Sequence, residues 1–294
     1  FMPKHRLRRE IVATAITNSM VNRMGPTFAQ RTQEESGVGI ASVARAYTIA
    51  RESFGMVAIW SAIESLDNHI PANVQIAMTV QTVGLLKHAS RWLVDHLHGR
   101  LDIAATVPLY RPGIEKLTAN ISTVLSEPQL DVYHRMQQQY SDVGVPEFLA
   151  HLIAALPTLY PAFDLVDVAQ KTKLSENVVA RVYFHIGREL GLDWLRGQIE
   201  TLSVDGHWQA EARATLRENL YLQQRLLTTQ ALKKATDERN AMDHLNAWFN
   251  EYTSRIQHTQ RILADMKNAN VVDFPSLSVA MQEVRKLARI AAGK

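Results

Sequence analysis

Apolar residues recur at intervals of three and four along almost the whole chain, and this spacing constrains the fold more than any other feature. Residues three and four apart lie on one face of an α-helix, so each such stretch is expected to bury one side. Glycine (13) and proline (10) fall below their usual shares of about 7% and 5%. No segment alternates with the period of a strand. The sequence therefore predicts an all-α fold, an irregular multi-helix bundle of about a dozen helices.

The longest helical patterns lie near the C-terminus and predict a helical hairpin over residues 207–268. Each arm would approach about 45 Å at ~1.5 Å per residue, a length suited to helices that pack side by side. The turn is expected near Thr236 and Asp237. Because no glycine or proline enforces that turn, one continuous helix stays open as an alternative.

A second long pattern, between Pro71 and Gly99, carries two apolar stripes instead of one. Val74, Met78 and Leu85 begin the first stripe, and the second contains Ile76 and Val80. A helix that is apolar on two sides is typical of the centre of a bundle. We therefore expect this helix to be buried by neighbours on both sides.

Three prolines, Pro146, Pro157 and Pro161, punctuate the middle of the chain. Prolines concentrate at the ends of elements, so this segment is the best candidate for a boundary. We predict an N-terminal helical subdomain over residues 1–145. A C-terminal helical subdomain, which contains the hairpin, is predicted over residues 146–294.

The positive charge of the chain is concentrated at its N-terminus. The net charge is +3, but the first nine residues contain four cations and no acid, so residues 10–294 sum to −1. Cations at a helix N-terminus oppose the macrodipole by about 0.3–1 kcal/mol each. The candidate interdomain docking residues are Lys4, Arg6, Arg8 and Arg9. Their partners would be acids on an upstream domain or Glu34 and Glu35, and a merely solvated basic end is the alternative.

The sequence contains no recognisable catalytic apparatus. Without cysteine, thiolate metal sites, disulfides and a cysteine nucleophile are excluded. The run Gly37-Val38-Gly39 begins a dinucleotide fingerprint, but acids and not a strand precede it and the third glycine is missing. A turn between two helices is the better interpretation. We predict no catalytic and no cofactor-binding residue in this chain, although a pocket assembled from scattered polar residues would escape sequence reasoning.

Clustered histidines and acids are not spaced as metal ligands. Asp95, His96 and His98 lie near His88, but residues two apart point to different sides of a helix. Glu64 and Asp67 are interpreted as a solvated or salt-bridged edge. The sequence therefore predicts no metal site.

Residues 165–190 have the spacing of a helix-turn-helix, which makes a DNA-binding protein the alternative function. The second helix would have to present groups that bind phosphates and bases. Glu176, Asn177 and Arg181 offer one acid and one cation there. Because phosphate neutralisation dominates DNA affinity, a tight corner between two core helices is favoured, and a nucleic-acid partner is not expected.

Four segments together resemble the C-terminal region of the large bacterial NAD-specific glutamate dehydrogenases. They are His5–Ile11, Asn18–Gly25, Ala44–Arg51 and Leu192–Leu195. The resemblance extends to about Arg225 and is most specific in the first fifty residues. It implies a helical domain that follows a catalytic domain and belongs to a longer polypeptide.

The resemblance also implies what the parent protein does. In that family the enzyme converts L-glutamate, NAD and water into 2-oxoglutarate, ammonium and NADH. The lysine-bearing substrate motifs and the dinucleotide fold lie upstream of the matched region, so NAD is a cofactor of the parent and no cofactor is expected in this fragment. We expect bracing, assembly or regulation as the role, the upstream catalytic domain as partner, a homo-oligomeric parent, a cytoplasmic location and no membrane span.

Overall fold

The apolar spacing is realised as helices throughout the described chain. The structure, a computed structural model, describes residues 5–97, 101–269 and 272–293. Within these ranges it forms fifteen α-helices, one short 3-10 helix at Leu156–Leu159 and no strand, which confirms the all-α prediction. The helices are α1 (Arg8–Met24), α2 (Phe28–Ser36), α3 (Ile40–Ser53), α4 (Met56–Glu64), α5 (Ala72–Leu97), α6 (Ile103–Val124), α7 (Glu127–Asp142), α8 (Glu147–Ala155), α9 (Ala162–Thr172), α10 (Glu176–Glu189), α11 (Leu192–Thr201), α12 (His207–Ala231), α13 (Ala241–Glu251), α14 (Thr253–Ala269) and α15 (Phe274–Ala291).

The helices group into two compact units. Unit 1 comprises Phe1–Ile121 and Asp131–Phe163, and unit 2 comprises Ser122–Leu130 and Asp164–Lys294. The prolines that suggested a boundary lie inside unit 1, where Pro146 is the N-cap of α8 and Pro157 lies in the first turn of the 3-10 helix. The division at residue 145 stays a prediction.

Unit 1 is built around α5, which packs against α2, α3, α4 and α8. Trp92 of α5 stacks on Phe163 with a centroid distance of 5.1 Å, and Tyr110 meets Phe163 edge-on at 4.9 Å. Trp60 of α4 donates its indole N–H to Thr82 Oγ1 at 3.0 Å, so this buried polar group has a hydrogen-bond partner. The prediction of a central helix is confirmed.

The prediction that both stripes of α5 are buried is wrong for the N-terminal half of the second stripe. Ile76 and Val80 are 63% and 60% exposed, whereas Met78 between them is fully buried. The neighbouring helices cover only the face that carries Met78 and Leu85, so an apolar pattern on two sides does not guarantee a cover for both. Leu93, further along the same stripe, is buried.

Unit 2 is built around α12, which packs against α10, α11 and α15. Between α12 and α10, Gln224 donates through Nε2 to the Tyr183 carbonyl at 2.9 Å. Arg196 of α11 donates to Gln224 Oε1 at 2.6 Å and to Asp193 Oδ1 at 2.8 Å. Gln224 is fully buried, so both ends of its amide are satisfied where desolvation would otherwise be costly.

The chain turns between α12 and α13, so the alternative of one continuous helix is wrong. Asp237 replaces a glycine as the turn former, because its Oδ1 accepts hydrogen bonds from the backbone N–H groups of Arg239 at 2.8 Å and Asn240 at 3.0 Å. The second arm is not one helix as predicted but two, α13 and α14, which meet at Tyr252. Thr253 Oγ1 bonds back to the carbonyls of Phe249 and Asn250, and such bonds compete with helical pairing.

No single described helix is long and apolar enough to cross a membrane. One bent pair, Glu147–Leu159 with Ala162–Thr172, satisfies the criteria of length and composition when its two members are taken together. Most of its apolar side chains, among them Leu149 and Val166, are buried inside the protein, whereas Phe148 is 60% exposed.

Gly187 lets α10 approach α12, and this predicts a strong effect of a single methyl group. An alanine Cβ at this position would lie 2.6 Å from Gln224 Nε2 and 3.3 Å from Asp193 Oδ1. We expect Gly187→Ala to destabilise unit 2 by about 1–3 kcal/mol, because overpacking forces Gln224 away from the Tyr183 carbonyl. Urea and thermal unfolding, followed by circular dichroism, measure the change.

Gly197 supplies the matched control in the same unit. It is exposed in the interior of α11, and no atom lies within 4 Å of the position an alanine Cβ would take. Gly197→Ala is expected to stabilise the protein by about 0.5–1 kcal/mol, since alanine is the better helix former. Equal effects of the two substitutions would contradict the close-approach role of Gly187.

Candidate docking surface

The C-terminal half of α1 is held on unit 1 by a hydrogen-bond network. Ser19 Oγ lies 2.8 Å from Tyr47 OH of α3, and Arg51 donates to Ser19 Oγ through Nη1 at 3.2 Å. Met20, the one buried residue of α1, occupies the adjacent position. Burial raises the pKa of the Tyr47 hydroxyl, and the Ser19 hydrogen bond and the Arg51 charge offset part of that rise. Tyr47 is therefore a neutral anchor at physiological pH.

Arg23 adds a second anchor near the end of the same helix. Its guanidinium lies over the Trp60 ring, 4.6 Å from the centroid, and forms an ion pair with Glu64 at 2.6 Å. A cation–π contact of this kind contributes about 0.5–1 kcal/mol at an exposed site. The sequence-based interpretation of Glu64 as a salt-bridged edge is confirmed, and Asp67 accepts a hydrogen bond from Gln75 Nε2 at 2.8 Å.

The N-terminal half of α1 lacks this cover. Leu7, Ile11 and Val12 are between 39% and 50% exposed. Val12 precedes Ile16 and Met20 by one and two turns, so an exposed apolar residue extends the face that Met20 buries further along the helix. The cover on this face therefore ends before the apolar stripe does.

Three exposed arginines, Arg6, Arg8 and Arg9, lie beside these apolar residues in the sequence. None of them forms an ion pair with any residue of the described ranges. The helix macrodipole adds partial positive charge at the same end, and Glu10 is the one acid in the first turn. We call Arg6, Leu7, Arg8, Arg9, Ile11 and Val12 the α1 end; Lys4, which the sequence analysis grouped with them, lies outside the described residues.

The acids that sequence analysis offered as partners within the chain are engaged elsewhere. Glu35 pairs with Arg91 at 2.9 Å, and Arg91 also binds Asp95 at 2.8 Å. Glu34 accepts a hydrogen bond from Gln30 at 2.8 Å. The described residues therefore show no ion pair between these arginines and Glu34 or Glu35, which was one of the predicted alternatives.

The glycines of the incomplete dinucleotide fingerprint form a turn between two helices, as predicted. Gly37 ends α2 with a φ of 70°, a left-handed conformation that favours glycine, and Gly39 is the N-cap of α3. No strand precedes them, so the pyrophosphate cradle of a dinucleotide fold is not built here.

The histidine cluster is dispersed over separate contacts. His88 is buried and stacks on Tyr160 at 5.3 Å, whereas His96 Nδ1 bonds to the Trp92 carbonyl at 2.9 Å. Among the described residues, no three histidines or acids converge as metal ligands, and His98 lies outside these residues.

The helix-turn-helix spacing corresponds to α9 and α10, with Lys173 in the turn. A recognition helix must present a long exposed face to the groove. Arg181 and Arg188 are the two exposed residues of α10, and Val179, Val182 and Ile186 are fully buried. The structure therefore gives no support to DNA binding through residues 165–190.

Comparison with known proteins decides the family. Residues 1–286 match the family model described as glutamate dehydrogenase, C-terminal. The chain belongs to this glutamate dehydrogenase family.

Three curated relatives are each described as an NAD-specific glutamate dehydrogenase. The protein of Pseudomonas aeruginosa is 33% identical over 98% of this chain, that of Halomonas elongata 32% over 98%, and that of Mycobacterium tuberculosis 27% over 97%. The chain spans only 17–18% of the length of these relatives. The resemblance stated from four short segments is confirmed and extends over almost the entire chain.

The two halves of α1 are expected to differ in local stability. Amide hydrogens of residues 12–17 should exchange about tenfold or more faster than those of residues 19–24, because only the latter lie in the anchored half. Met20→Ala should cost about 2 kcal/mol or more and accelerate exchange along the whole helix. Hydrogen exchange read by mass spectrometry measures both effects.

Val12→Ala is the control for this comparison. Val12 is an exposed apolar residue of the same helix, so its truncation should change stability by no more than about 0.5 kcal/mol. A uniform exchange rate along α1 in the unaltered protein would contradict the division into an anchored and an uncovered half.

Proposed function

We propose that this chain is the C-terminal helical domain of an NAD-specific glutamate dehydrogenase and that it takes no direct part in the chemistry. The match of residues 1–286 to the family carries the proposal. It is supported by the share of the relatives that the chain spans, since more than four fifths of their length lies outside the matched region. The parent reaction would be the oxidation of L-glutamate by NAD to 2-oxoglutarate and ammonium.

The proposed role is to brace or regulate the catalytic region through the α1 end. The stripe that Val12 extends is already an interface at Met20, because α1 packs against α2, α3 and α5, and Leu7 and Ile11 add exposed apolar surface at the same end of the helix. Lys4, Arg6, Arg8 and Arg9 would select a partner surface that carries acids around an apolar centre. Charge of one sign steers association and fixes its orientation, while burial of the apolar residues supplies the affinity.

Four further properties of the parent belong to the proposal. NAD would bind outside this chain, the protein would act in the cytoplasm, and it would assemble as a homo-oligomer. Residues 1–145 and 146–294 would act as an N-terminal and a C-terminal subdomain. These properties extend the family assignment, and each can be tested on the parent protein.

The purified chain supplied with NADH, 2-oxoglutarate and ammonium is expected to show no turnover. The reason is that the proposed cofactor and substrate sites lie in the rest of the parent. Absorbance of NADH at high protein concentration measures the rate, and the full-length protein is the positive control. Robust NADH oxidation by the chain alone would refute the non-catalytic role.

Charge reversal at Arg8 and Arg9 tests the docking role in the full-length protein. Arg8→Glu with Arg9→Glu should lower glutamate-dependent NAD reduction or change the oligomeric mass, because the pair would then repel the acidic partner surface. We expect a loss of about tenfold or more in activity or in the stability of the assembly, with the helical content of the purified chain unchanged.

Arg31 and Arg45 are the matched control, since both are exposed arginines of unit 1 that lie outside the α1 end. The double substitution Arg31→Glu with Arg45→Glu makes the same change in net charge and should leave activity and mass unaltered. If neither pair of substitutions changes the enzyme, the docking role of the α1 end is wrong and the basic residues are only a solvated end.

A further inference from the structure

The exposed face of α12 carries no charged residue, which is unusual for a long helix. Seven residues of this helix are exposed, and none of them is Lys, Arg, Asp or Glu: His207, Trp208, Gln209, Ala212, Thr215, Leu222 and Leu226. A helix at a protein surface ordinarily turns its charged residues to water and its apolar residues inward. In α12 the apolar residues occupy both faces.

The charged residues of α12 are half-buried, and its three arginines are held by neighbouring elements of unit 2. Arg217 pairs with Glu200 at 2.5 Å, and Arg225 pairs with Asp164 at 3.3 Å and with Asp167. Arg213 donates to the Leu202 carbonyl at 3.3 Å. The arginines of this helix are therefore engaged within the unit, and the outer face is left neutral.

The neutral face follows the spacing of a helix that packs along another helix. Trp208, Ala212, Thr215, Asn219, Leu222 and Leu226 succeed one another at intervals of four, three, four, three and four. This is the seam of a coiled coil, and its length is about 27 Å. We call these six residues the α12 seam. Asn219 is half-buried and accepts a hydrogen bond from Arg285 of α15 at 3.1 Å.

The N-terminal end of the seam is a large and exposed side chain, Trp208. Trp208 is 82% exposed, and Leu222 and Leu226 are 38% and 39% exposed. Trp60, Trp92 and Trp248 are each only 5% exposed, so Trp208 is the tryptophan that water contacts most among these four. Tryptophan dominates the binding energy of many interfaces because it buries a large apolar area at low entropic cost.

The order of residues along the seam makes it complementary to itself. If two copies lie antiparallel about a dyad at position 217, Trp208 faces Leu226, Ala212 faces Leu222, and Thr215 faces Asn219. Each large side chain then meets an apolar partner, small Ala212 makes room for Leu222, and the two polar side chains meet at the centre. The six seam residues are themselves uncharged, so the pairing places no charged side chain at its centre, and the charges nearest to it, Arg285 beside Asn219 and Glu218 beside the dyad, lie at its edge.

From this complementarity we infer that α12 is a self-association surface, in which the seam packs antiparallel against the seam of a second copy. The inference names the contact for the homo-oligomer proposed above and rests on that part of the proposal. A contact of two helices over this length lies at the small end of stable interfaces, which bury about 800 Å² per partner. We therefore expect dissociation constants in the micromolar range, about 1–100 μM.

Analytical ultracentrifugation of the purified chain tests the association. A dimer should form as the concentration rises to about 100 μM, and the emission of Trp208 should shift to shorter wavelength as its ring is buried. Leu226→Glu should weaken the dimer about tenfold or more, since a carboxylate would be desolvated beside Trp208 of the other copy.

Ile76→Glu is the matched control, because Ile76 is 63% exposed, equally apolar and in unit 1. It should leave the dissociation constant unchanged. A chain that is monomeric at about 100 μM overturns the inference, as does an equal loss of dimer with Ile76→Glu and Leu226→Glu.

Cross-linking tests the antiparallel register. Because the sequence contains no cysteine, only the introduced thiols can react. Ala212→Cys mixed with Leu222→Cys should cross-link through a short bismaleimide. Ala212→Cys alone should not, because its two thiols would be separated by about 15 Å along the helix axis. Efficient cross-linking of Ala212→Cys alone would indicate parallel helices and overturn the proposed pairing.

Glu218 provides a second test of the register. In the antiparallel pair, Glu218 of each copy flanks the dyad on the same side, so the two carboxylates repel. Glu218→Gln should tighten the dimer by about twofold or more, a size typical of like charges on neighbouring helical positions. A weakened dimer would contradict this register.

None of these measurements depends on dehydrogenase activity, so failure of the self-association and failure of the proposed domain role are distinguishable.

Discussion

The burial of two long helices is the interaction on which the rest of the structure depends. Most of the stability of a helix in a folded protein comes from packing of its apolar face, so α5 and α12 depend on their neighbours to remain helical. Side chains such as Leu85 in unit 1 and Leu220 in unit 2 are completely buried. Each contributes about 1.5–3 kcal/mol through loss of apolar surface from water. The shorter helices of each unit are arranged to supply that burial.

Polar contacts determine how closely the helices approach. Between α10 and α12, the absence of a side chain at Gly187 leaves the space in which the Gln224 amide reaches the Tyr183 carbonyl. Between α1 and α3, Ser19, Tyr47 and Arg51 join in one network. Such bonds add only about 0.5–1.5 kcal/mol each, but an unsatisfied buried partner would cost more. They therefore select one packing among several that would bury the same apolar area.

The α1 end and the α12 seam are apolar surfaces of different character. Arginines lie beside the apolar residues of the α1 end in the sequence, which favours a partner that carries acids. The α12 seam is neutral, because the arginines of its helix are bound by Glu200, Asp164 and Asp167 within unit 2. A neutral seam disfavours a charged partner, since burying an unpaired charge is expensive. The proposed docking surface and the proposed self-association surface therefore differ in the chemistry of the partner that each would bind.

Sequence reasoning recovered the features that local patterns encode. It predicted the all-α class, the central position of α5, the turn at Gly37 and Gly39, and the break between two helices near Asp237. It failed where the outcome depends on which neighbour covers a face. Ile76 and Val80 have the spacing of buried residues but are exposed, and the second hairpin arm is interrupted at Tyr252. The network of Ser19, Tyr47 and Arg51 was not anticipated, because residues 28 to 32 positions apart carry no local signal of contact.

By itself, the sequence determined the helical class, the family resemblance and the concentration of cations before residue 10, because all three depend on residue type and spacing along the chain. Only the tertiary structure decided which apolar stripes are covered. Val12 and Met20 lie on one face of one helix, yet Met20 is buried and Val12 is not. Likewise, Leu220 and Leu222 are two residues apart in α12, but Leu220 faces the core of unit 2 and Leu222 faces water. Burial depends on long-range packing, and a periodic pattern specifies only that a face is able to be buried.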